Sequence, residues 1–285
     1  MKLYHPSTVE EAVSLLAEDE DARCLAGGAT LVAMMNADLI APSALISLDA
    51  IESLKGISTD LDGGAVVGAM TRHASIAEAT GLDGGQNIVA RAARVIGHPA
   101  IRNMGTIGGS IAHADFAADY PAALVAADAV IQVIGPAGRR EIRARDFFVD
   151  YMETALGPGE MVGSVRLPAG PAYAVSAYEK YARVDGDFAT VSVAIVLSEP
   201  GSQCNHARLS VGACAPVPLW SEEADAILAD NNLNDDAITA ACDILIAAAD
   251  PVDDFRGSGD YRLALIPVLV RRAIASARTG EGGKA

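Results

Sequence analysis

The residues of this chain whose types and spacing could do chemistry are glycines and small hydroxyl residues, not an acid–base pair or a thiol cluster. Along Arg102-Asn103-Met104-Gly105-Thr106-Ile107-Gly108-Gly109-Ser110, three glycines fall within five residues. They are flanked by Asn103, Thr106 and Ser110, which can hydrogen-bond. Glycine is needed where the backbone takes φ > 0 or where a ligand comes close. Successive backbone N–H groups in such a segment can form a concave nest for an anion. A second segment of the same kind lies upstream, Leu25-Ala26-Gly27-Gly28-Ala29-Thr30. Two such segments suit a ligand with two adjacent phosphates, such as a dinucleotide. Gly-Gly alone says less: Gly63-Gly64, Gly84-Gly85 and Gly282-Gly283 sit beside Asp62, Asp83 and Glu281, where turns or a tail account for them. The two segments singled out differ in being surrounded by apolar residues.

No nucleophile–base constellation stands beside them. The five histidines, His5, His73, His98, His113 and His206, are not at metal-ligand spacing from one another. The four cysteines, Cys24, Cys204, Cys214 and Cys242, form no CxxC pair, so the sequence indicates neither zinc nor an iron–sulfur cluster. They read as buried reduced thiols. The seven methionines read as core filling.

The elements that must position the glycine segments follow from pattern. The 285 residues are enough for two domains, and 51% hydrophobic residues can form a substantial core. The net charge of −16, with no long basic run, argues against nucleic-acid binding. No signal-type apolar stretch opens the sequence, and no apolar run approaches the roughly 18 residues of a membrane span, so a cytoplasmic protein is expected. Ser7 and Glu10 fit a capping box ahead of a helix. Arg23 to Leu25 reads as a strand entering the first glycine segment, and Thr30 to Met35 as a helix leaving it. A helix N-terminus there would favour a phosphate. Leu45 to Leu48 and Ala65 to Gly68 read as hairpin arms about the Asp62-Gly63-Gly64 turn. Thr71 to Ala79 and Asn87 to Ile96 read as helices, the second ended by Pro99. Tyr120 to Ala127 reads as a helix, followed by strands at 129–134, 139–143 and 161–167. Pro168-Ala169-Gly170-Pro171 reads as a linker. Strands at 176–181, 190–197 and 207–213 then precede helices at 221–229, 235–249 and 260–278, which suggests α+β. The tail 279–285 is expected to be disordered.

Ala26-Gly27-Gly28-Ala29-Thr30 together with Thr106-Ile107-Gly108-Gly109-Ser110 resembles the paired pyrophosphate segments of the FAD-binding medium subunit of molybdenum hydroxylases, the xanthine dehydrogenase and carbon monoxide dehydrogenase flavoprotein family. The resemblance covers about residues 1–278, with the motifs in the expected order. It implies an α+β fold: a p-cresol methylhydroxylase-type FAD-binding domain of two subdomains over 1–168, then a C-terminal domain over 172–280 with a three-stranded sheet and helices. It implies that Leu25, Ala26, Gly27, Gly28, Ala29, Thr30 and Leu31 wrap the pyrophosphate, and that Gly105, Thr106, Gly108, Gly109 and Ser110 form the second segment, with hydroxyls from Thr106 and Ser110. Asp119 matches an aspartate that bonds the ribityl chain, with a cap for the helix that starts at Tyr120-Pro121 as the other, compatible reading. His113 stands where the xanthine enzymes carry a hydroxyl residue, and a structural histidine is the other reading. Val162 and Lys180 match positions near the flavin ring. Lys180 there would favour an anionic reduced flavin by Coulomb attraction, whereas a solvent-exposed strand lysine is the alternative.

This sequence also departs from the family pattern. Ala29 replaces a polar residue common in relatives, and no histidine lies in Gly27-Gly28-Ala29-Thr30, so noncovalent FAD is expected. No inserted cysteine cluster is present, so no four-iron cluster is expected. The implied role is an electron-transfer subunit with a large molybdenum–pterin subunit and a small subunit carrying two-iron two-sulfur clusters, as a dimer of heterotrimers. A self-contained flavin oxidase and a scaffold subunit that has lost FAD are the rival readings.

Overall fold

The structure is a computed structural model, and it describes residues 1–199 and 203–279. The N-terminal part is a small parallel sheet. β1 (Lys2–Tyr4) and β2 (Arg23–Leu25) flank β3 (Ala44–Ser47), and both pair with it in parallel. The helix α1 (Val9–Glu18) joins β1 to β2, as parallel strands require. It buries Val9, Ala12 and Val13 against Ile46 and Leu48. Its cap is Thr8, whose hydroxyl accepts from Glu11 N at 3.2 Å, while Ser7 N donates to the Glu11 carboxylate. The box therefore sits one residue later than the Ser7/Glu10 reading, because Val9 must face the core. The short α2 (Leu31–Asn36) leaves the first glycine segment.

A five-stranded antiparallel sheet follows, in the order β4 (Ile57–Thr59), β5 (Ala65–Gly68), β10 (Met161–Leu167), β6 (Val130–Gly135), β7 (Gly138–Arg143). The arm opposite Ala65–Gly68 is thus β4, not Leu45–Leu48, which belongs to the parallel sheet. Alternation is too short in β4 to announce a strand, and its partner across the turn supplies the hydrogen bonds. Between β5 and β6 the chain makes a helical excursion: α3 (His73–Ala77), α4 (Asn87–Val95), α5 (Pro99–Met104), α6 (Ile107–His113) and α7 (Asp119–Ala126). Pro99 does not merely end a helix; it occupies the first turn of α5, where its missing N–H costs nothing. After β7 come α8 (Ala144–Phe147) and a small hairpin, β8 (Phe148–Asp150) with β9 (Glu153–Thr154).

The third sheet is an antiparallel meander of β11 (Ala174–Tyr181), β12 (Val191–Ser198) and β13 (His206–Gly212). It is backed by α9 (Glu222–Asp230), α10 (Asp235–Ala247) and α11 (Gly259–Thr279). Ser221 and Asn234 cap α9 and α10 by accepting from Ala224 N and Ala237 N. The expected tail falls largely outside the described residues: Thr279 still closes α11, and 280–285 are not described. The fold is α+β, as expected.

All eight residues of α7 are buried, because β12 and β13 of the third sheet pack on it together with α4, α6 and α8. Its first two residues, Asp119 and Tyr120, are polar, so their partners must come from the protein or a ligand.

Candidate functional site

The first glycine segment runs from the end of β2 to the start of α2. Gly28 has φ of +76°, a left-handed conformation that glycine adopts without steric cost. At Gly27 a Cβ would lie 1.8 Å from the Met104 carbonyl oxygen, so the two glycine segments press on each other at this point. The N–H groups of Gly27, Gly28, Ala29, Thr30 and Leu31 have no acceptor among the described residues. The nearby inward bonds are Val32 N to Gly28 O at 3.1 Å and Met34 N to Thr30 O at 2.9 Å. Consecutive amides without acceptors among the described residues, four of the five on half-buried residues, at a helix start, are chemically an anion cradle.

The second segment works differently, which corrects the expectation of a backbone nest there. Thr106 is the N-cap of α6, and Gly108, Gly109 and Ser110 form that helix's first turn. Gly105 N donates to Ile101 O, Gly108 N to Ala69 O, Gly109 N to Thr106 Oγ1 and Ser110 N to Thr106 O, at 2.8 to 3.2 Å. What remains for a ligand is the Thr106 N–H, the hydroxyl hydrogen of Thr106 and the Ser110 hydroxyl. Gly105 and Gly108 are required by protein packing. A Cβ on Gly105 would lie 2.5 Å from His73 Nε2, and one on Gly108 would lie 2.6 Å from the Ala69 side chain. Gly109 alone of the three is exposed, and a Cβ there would stand 3.1 Å from the capping Thr106 Oγ1 and 3.6 Å from Ala26 Cβ of the first segment.

Asp119 and Lys180 meet in the buried layer between α7 and β11. Lys180 Nζ lies 3.0 Å from Asp119 Oδ1, and the two side chains are 7% and 6% exposed. The same ammonium donates to Val95 O at 2.7 Å and Asp187 O at 3.0 Å. The Tyr178 hydroxyl donates to Asp119 Oδ1 at 2.8 Å. Asp119 is therefore not the helix cap, since Ala118 holds that position without a side-chain bond, and Lys180 is not a solvent-exposed strand lysine. Burial pushes the Asp119 carboxyl upward, opposed by the Lys180 charge and the Tyr178 hydrogen bond. The Lys180 ammonium spends its three donors on Asp119, Val95 O and Asp187 O, so a ligand contact to it replaces one of these bonds, whereas the Asp119 carboxylate keeps acceptor capacity beyond Lys180 and Tyr178.

Beside this pair, His73 Nδ1 lies 3.1 Å from the Tyr120 hydroxyl, and His73 N donates to Gly105 O at 3.0 Å. The second glycine segment is thereby tied to the start of α7. Burial, with Arg102 adding to it, pushes the His73 imidazole down to about 4. Val162 is buried in β10, next to a bulge at Gly163 whose carbonyl accepts from Ala69 N at 3.0 Å. α6 packs on β10 and on α7. His113 ends α6 half-buried, its imidazole pushed down by burial against the pull of Asp115. Tyr178, Tyr120 and His73 were not singled out from the sequence. Only a strand reading that placed Tyr178 and Lys180 on one face, two residues apart, points to Tyr178.

Next to the two glycine segments lies a cleft of about 890 Å³, whose walls include Ala26, Gly27, Met104 and Thr106. Among the described residues no group of histidine, cysteine, aspartate and glutamate could hold a metal ion, and no helix is long and apolar enough to cross a membrane.

This fold is that of a flavoprotein of the molybdopterin dehydrogenases. Residues 1–170 match the family model described as the FAD binding domain in molybdopterin dehydrogenase, and residues 176–277 match the CO dehydrogenase flavoprotein C-terminal domain. The chain belongs to this family of FAD-binding medium subunits, and it is accordingly an oxidoreductase subunit with FAD as its cofactor. It is 37% identical to the carbon monoxide dehydrogenase medium chain of Afipia carboxidovorans over 280 residues, covering 96% of each chain. It is 35% identical to the 6-hydroxypseudooxynicotine dehydrogenase complex subunit alpha of Paenarthrobacter nicotinovorans, covering 95% of this chain and 92% of that one. Among solved structures, quinoline 2-oxidoreductase from Pseudomonas putida 86 superposes with a TM-score of 0.91 at 30% identity, covering 99% of this chain and 98% of that chain.

Proposed function

We propose that this chain is the electron-transfer subunit of a heterotrimeric molybdenum hydroxylase. In this role it takes electrons from iron–sulfur clusters of a small partner subunit, fed by a large molybdopterin subunit, and passes them to an external acceptor. The observation that carries the cofactor part is the run of amides from Gly27 to Leu31 without acceptors among the described residues, beside the start of α6. Bound FAD supplies a junction between one-electron and two-electron transfer. The chain's own residues position it. Amides of 27–31 hold the pyrophosphate, Thr106 and Ser110 add hydroxyls, and Gly109 leaves room beside Ala26. Leu25, Ala26 and Leu31 complete the first segment, and Gly105 and Gly108 let α6 seat against His73 and Ala69. Asp119 would hold the ribityl chain, Val162 and Lys180 would stand near the ring, and His113 at the end of α6 would complete the site. Residues 1–168 would then be the FAD domain and 172–280 the C-terminal domain.

The partner part is supported by the names of the relatives, which are medium chains and complex subunits, and by the lack of any metal-holding cluster among the described residues of this chain. The assembly is a cytoplasmic dimer of heterotrimers in this reading. The test uses the purified full chain. It should bind FAD and accept electrons from dithionite, yet oxidise no purine, aldehyde or N-heterocycle until both partners are added. Turnover by the isolated chain at the rate of the full complex refutes the proposal and leaves a self-contained oxidase.

A further inference from the structure

The orientation of the Asp119 carboxylate is set from outside its own helix. Asp119 opens α7, but Ala118 holds the cap position, and among the described residues no amide of α7 bonds the carboxylate. The bonds come from β11. Tyr178 and Lys180 stand two residues apart on that strand, so both side chains leave the same face. Lys180 Nζ reaches both oxygens, Oδ1 at 3.0 Å and Oδ2 at 3.2 Å. The Tyr178 hydroxyl reaches Oδ1 alone, at 2.8 Å.

This division is uneven, and the unevenness has a use. Lys180 by itself supplies the counter-charge that a buried carboxylate needs. Because it touches both oxygens, it does not distinguish between them. Tyr178 does: Oδ1 takes two donors and Oδ2 one, in a group with about four lone-pair sites. The extra bond stops the carboxylate from turning, and Oδ2 keeps the greater capacity for a ligand hydroxyl. The base of this arrangement is rigid, since Tyr178 and Lys180 pair with Ala194 and Ser192 in the β12 ladder. The Tyr178 ring belongs to the buried cluster that includes Ala122 of α7, Ala194 and Val196. Burial, with the Asp119 charge adding to it, holds the Tyr178 phenol well above its ordinary range, so it stays a donor at every working pH.

We infer that Tyr178 is a positioning residue for the flavin: it pins Asp119 Oδ1, so that Oδ2 is presented to a hydroxyl of the ribityl chain. The inference rests on the reading of Asp119 as the ribityl partner, and deepens it by adding a residue that touches no part of either glycine segment.

The test titrates the apo form of the full chain with FAD and with FMN by flavin fluorescence, and with ADP by competition, since ADP carries no ribityl chain. Tyr178→Phe keeps the ring and leaves Lys180 to neutralise Asp119. It should raise the FAD and FMN dissociation constants by the same factor, about tenfold, and leave the ADP constant within about twofold. Asp119→Ala should raise both flavin constants at least as much. The double variant should bind flavin no more weakly than Asp119→Ala, within about twofold, because Tyr178 acts only through Asp119. Circular dichroism checks that the variants fold, and Tyr178→Met repeats the measurement if Tyr178→Phe does not. With Asp119→Ala weakened, three results overturn the role of Tyr178: unchanged flavin constants in Tyr178→Phe, an ADP constant that rises with them, or a double variant weakened by the product of the single factors. Flavin constants that are unchanged in Asp119→Ala refute the ribityl reading itself.

Discussion

Asp119→Ala tests the buried pair most directly. The substitution leaves the Lys180 ammonium at 7% exposure with only Val95 O and Asp187 O, and leaves the Tyr178 hydroxyl without its acceptor. Removing one partner of a buried ion pair costs about 3–5 kcal/mol. The two surviving carbonyl bonds put the expected cost at the lower end, about 3 kcal/mol, or roughly 6–12 °C in melting temperature. Lys180→Met is a different perturbation, because the stranded group can neutralise itself. Burial already raises the Asp119 carboxyl, and losing Lys180 raises it further. A raised folded pKa gives stability that is present below the unfolded value and lost as pH rises, so the Lys180→Met deficit should shrink toward acid while the Asp119→Ala deficit does not. Urea denaturation followed by circular dichroism, on both single variants and the double, measures the terms. The double variant should be more stable than the sum of the singles predicts, by at least ~1.5 kcal/mol. Additivity within about 0.5 kcal/mol, or a cost below about 1 kcal/mol for Asp119→Ala, would show that the pair does not hold α7 to β11.

Gly109→Val should raise the FAD dissociation constant strongly at a modest cost in melting temperature, since its Cβ would meet the capping Thr106 Oγ1 at 3.1 Å. Gly108→Val should instead destabilise the fold, since a Cβ there meets Ala69. Gly170→Val is the matched control, because the residue is exposed and outside the cleft and its Cβ would meet nothing closer than 3.6 Å, whereas Gly84 has φ of +53° and a Cβ 3.2 Å from Ala174 O; equal flavin loss at Gly170 and Gly109 refutes the assignment. His73, pushed down to about 4 from 6.5, gives stability that is full above pH 6.5 and lost as pH falls toward 4, about 2–3 kcal/mol by pH 4.5. Asp225, raised by burial to about 7, works in the opposite sense, so the difference between the unaltered chain and His73→Gln across pH 4.5–7.5, rather than the raw profile, should carry the slope. Acid precipitation should release the yellow chromophore into the supernatant, and its retention in the pellet would show a covalent bond.

The first glycine segment was legible because its conformation is a local matter: Gly28 needs φ > 0, and the strand before it and the helix after it are short-range patterns. The three strands and three helices of the last hundred residues were legible for the same reason, with caps at Ser221 and Asn234 written in the sequence. The second segment was legible as a motif but not as a structure. Nothing local says that the amides of Gly105 and Gly108 are spent on Ile101 and Ala69, or that these glycines are required by His73 and Ala69. Nor could the sequence say that Asp119, 61 residues from Lys180, finds its counter-charge there. Both side chains are driven together because α7 is buried along its whole length between the third sheet and the helices α4, α6 and α8, and a charge in such a place must be paired. Local propensity and glycine geometry are set by a few neighbouring residues and so belong to the sequence. The pairing of buried charges, the use of each amide and the shape of the cleft beside the glycine segments depend on which distant segments the tertiary packing brings together.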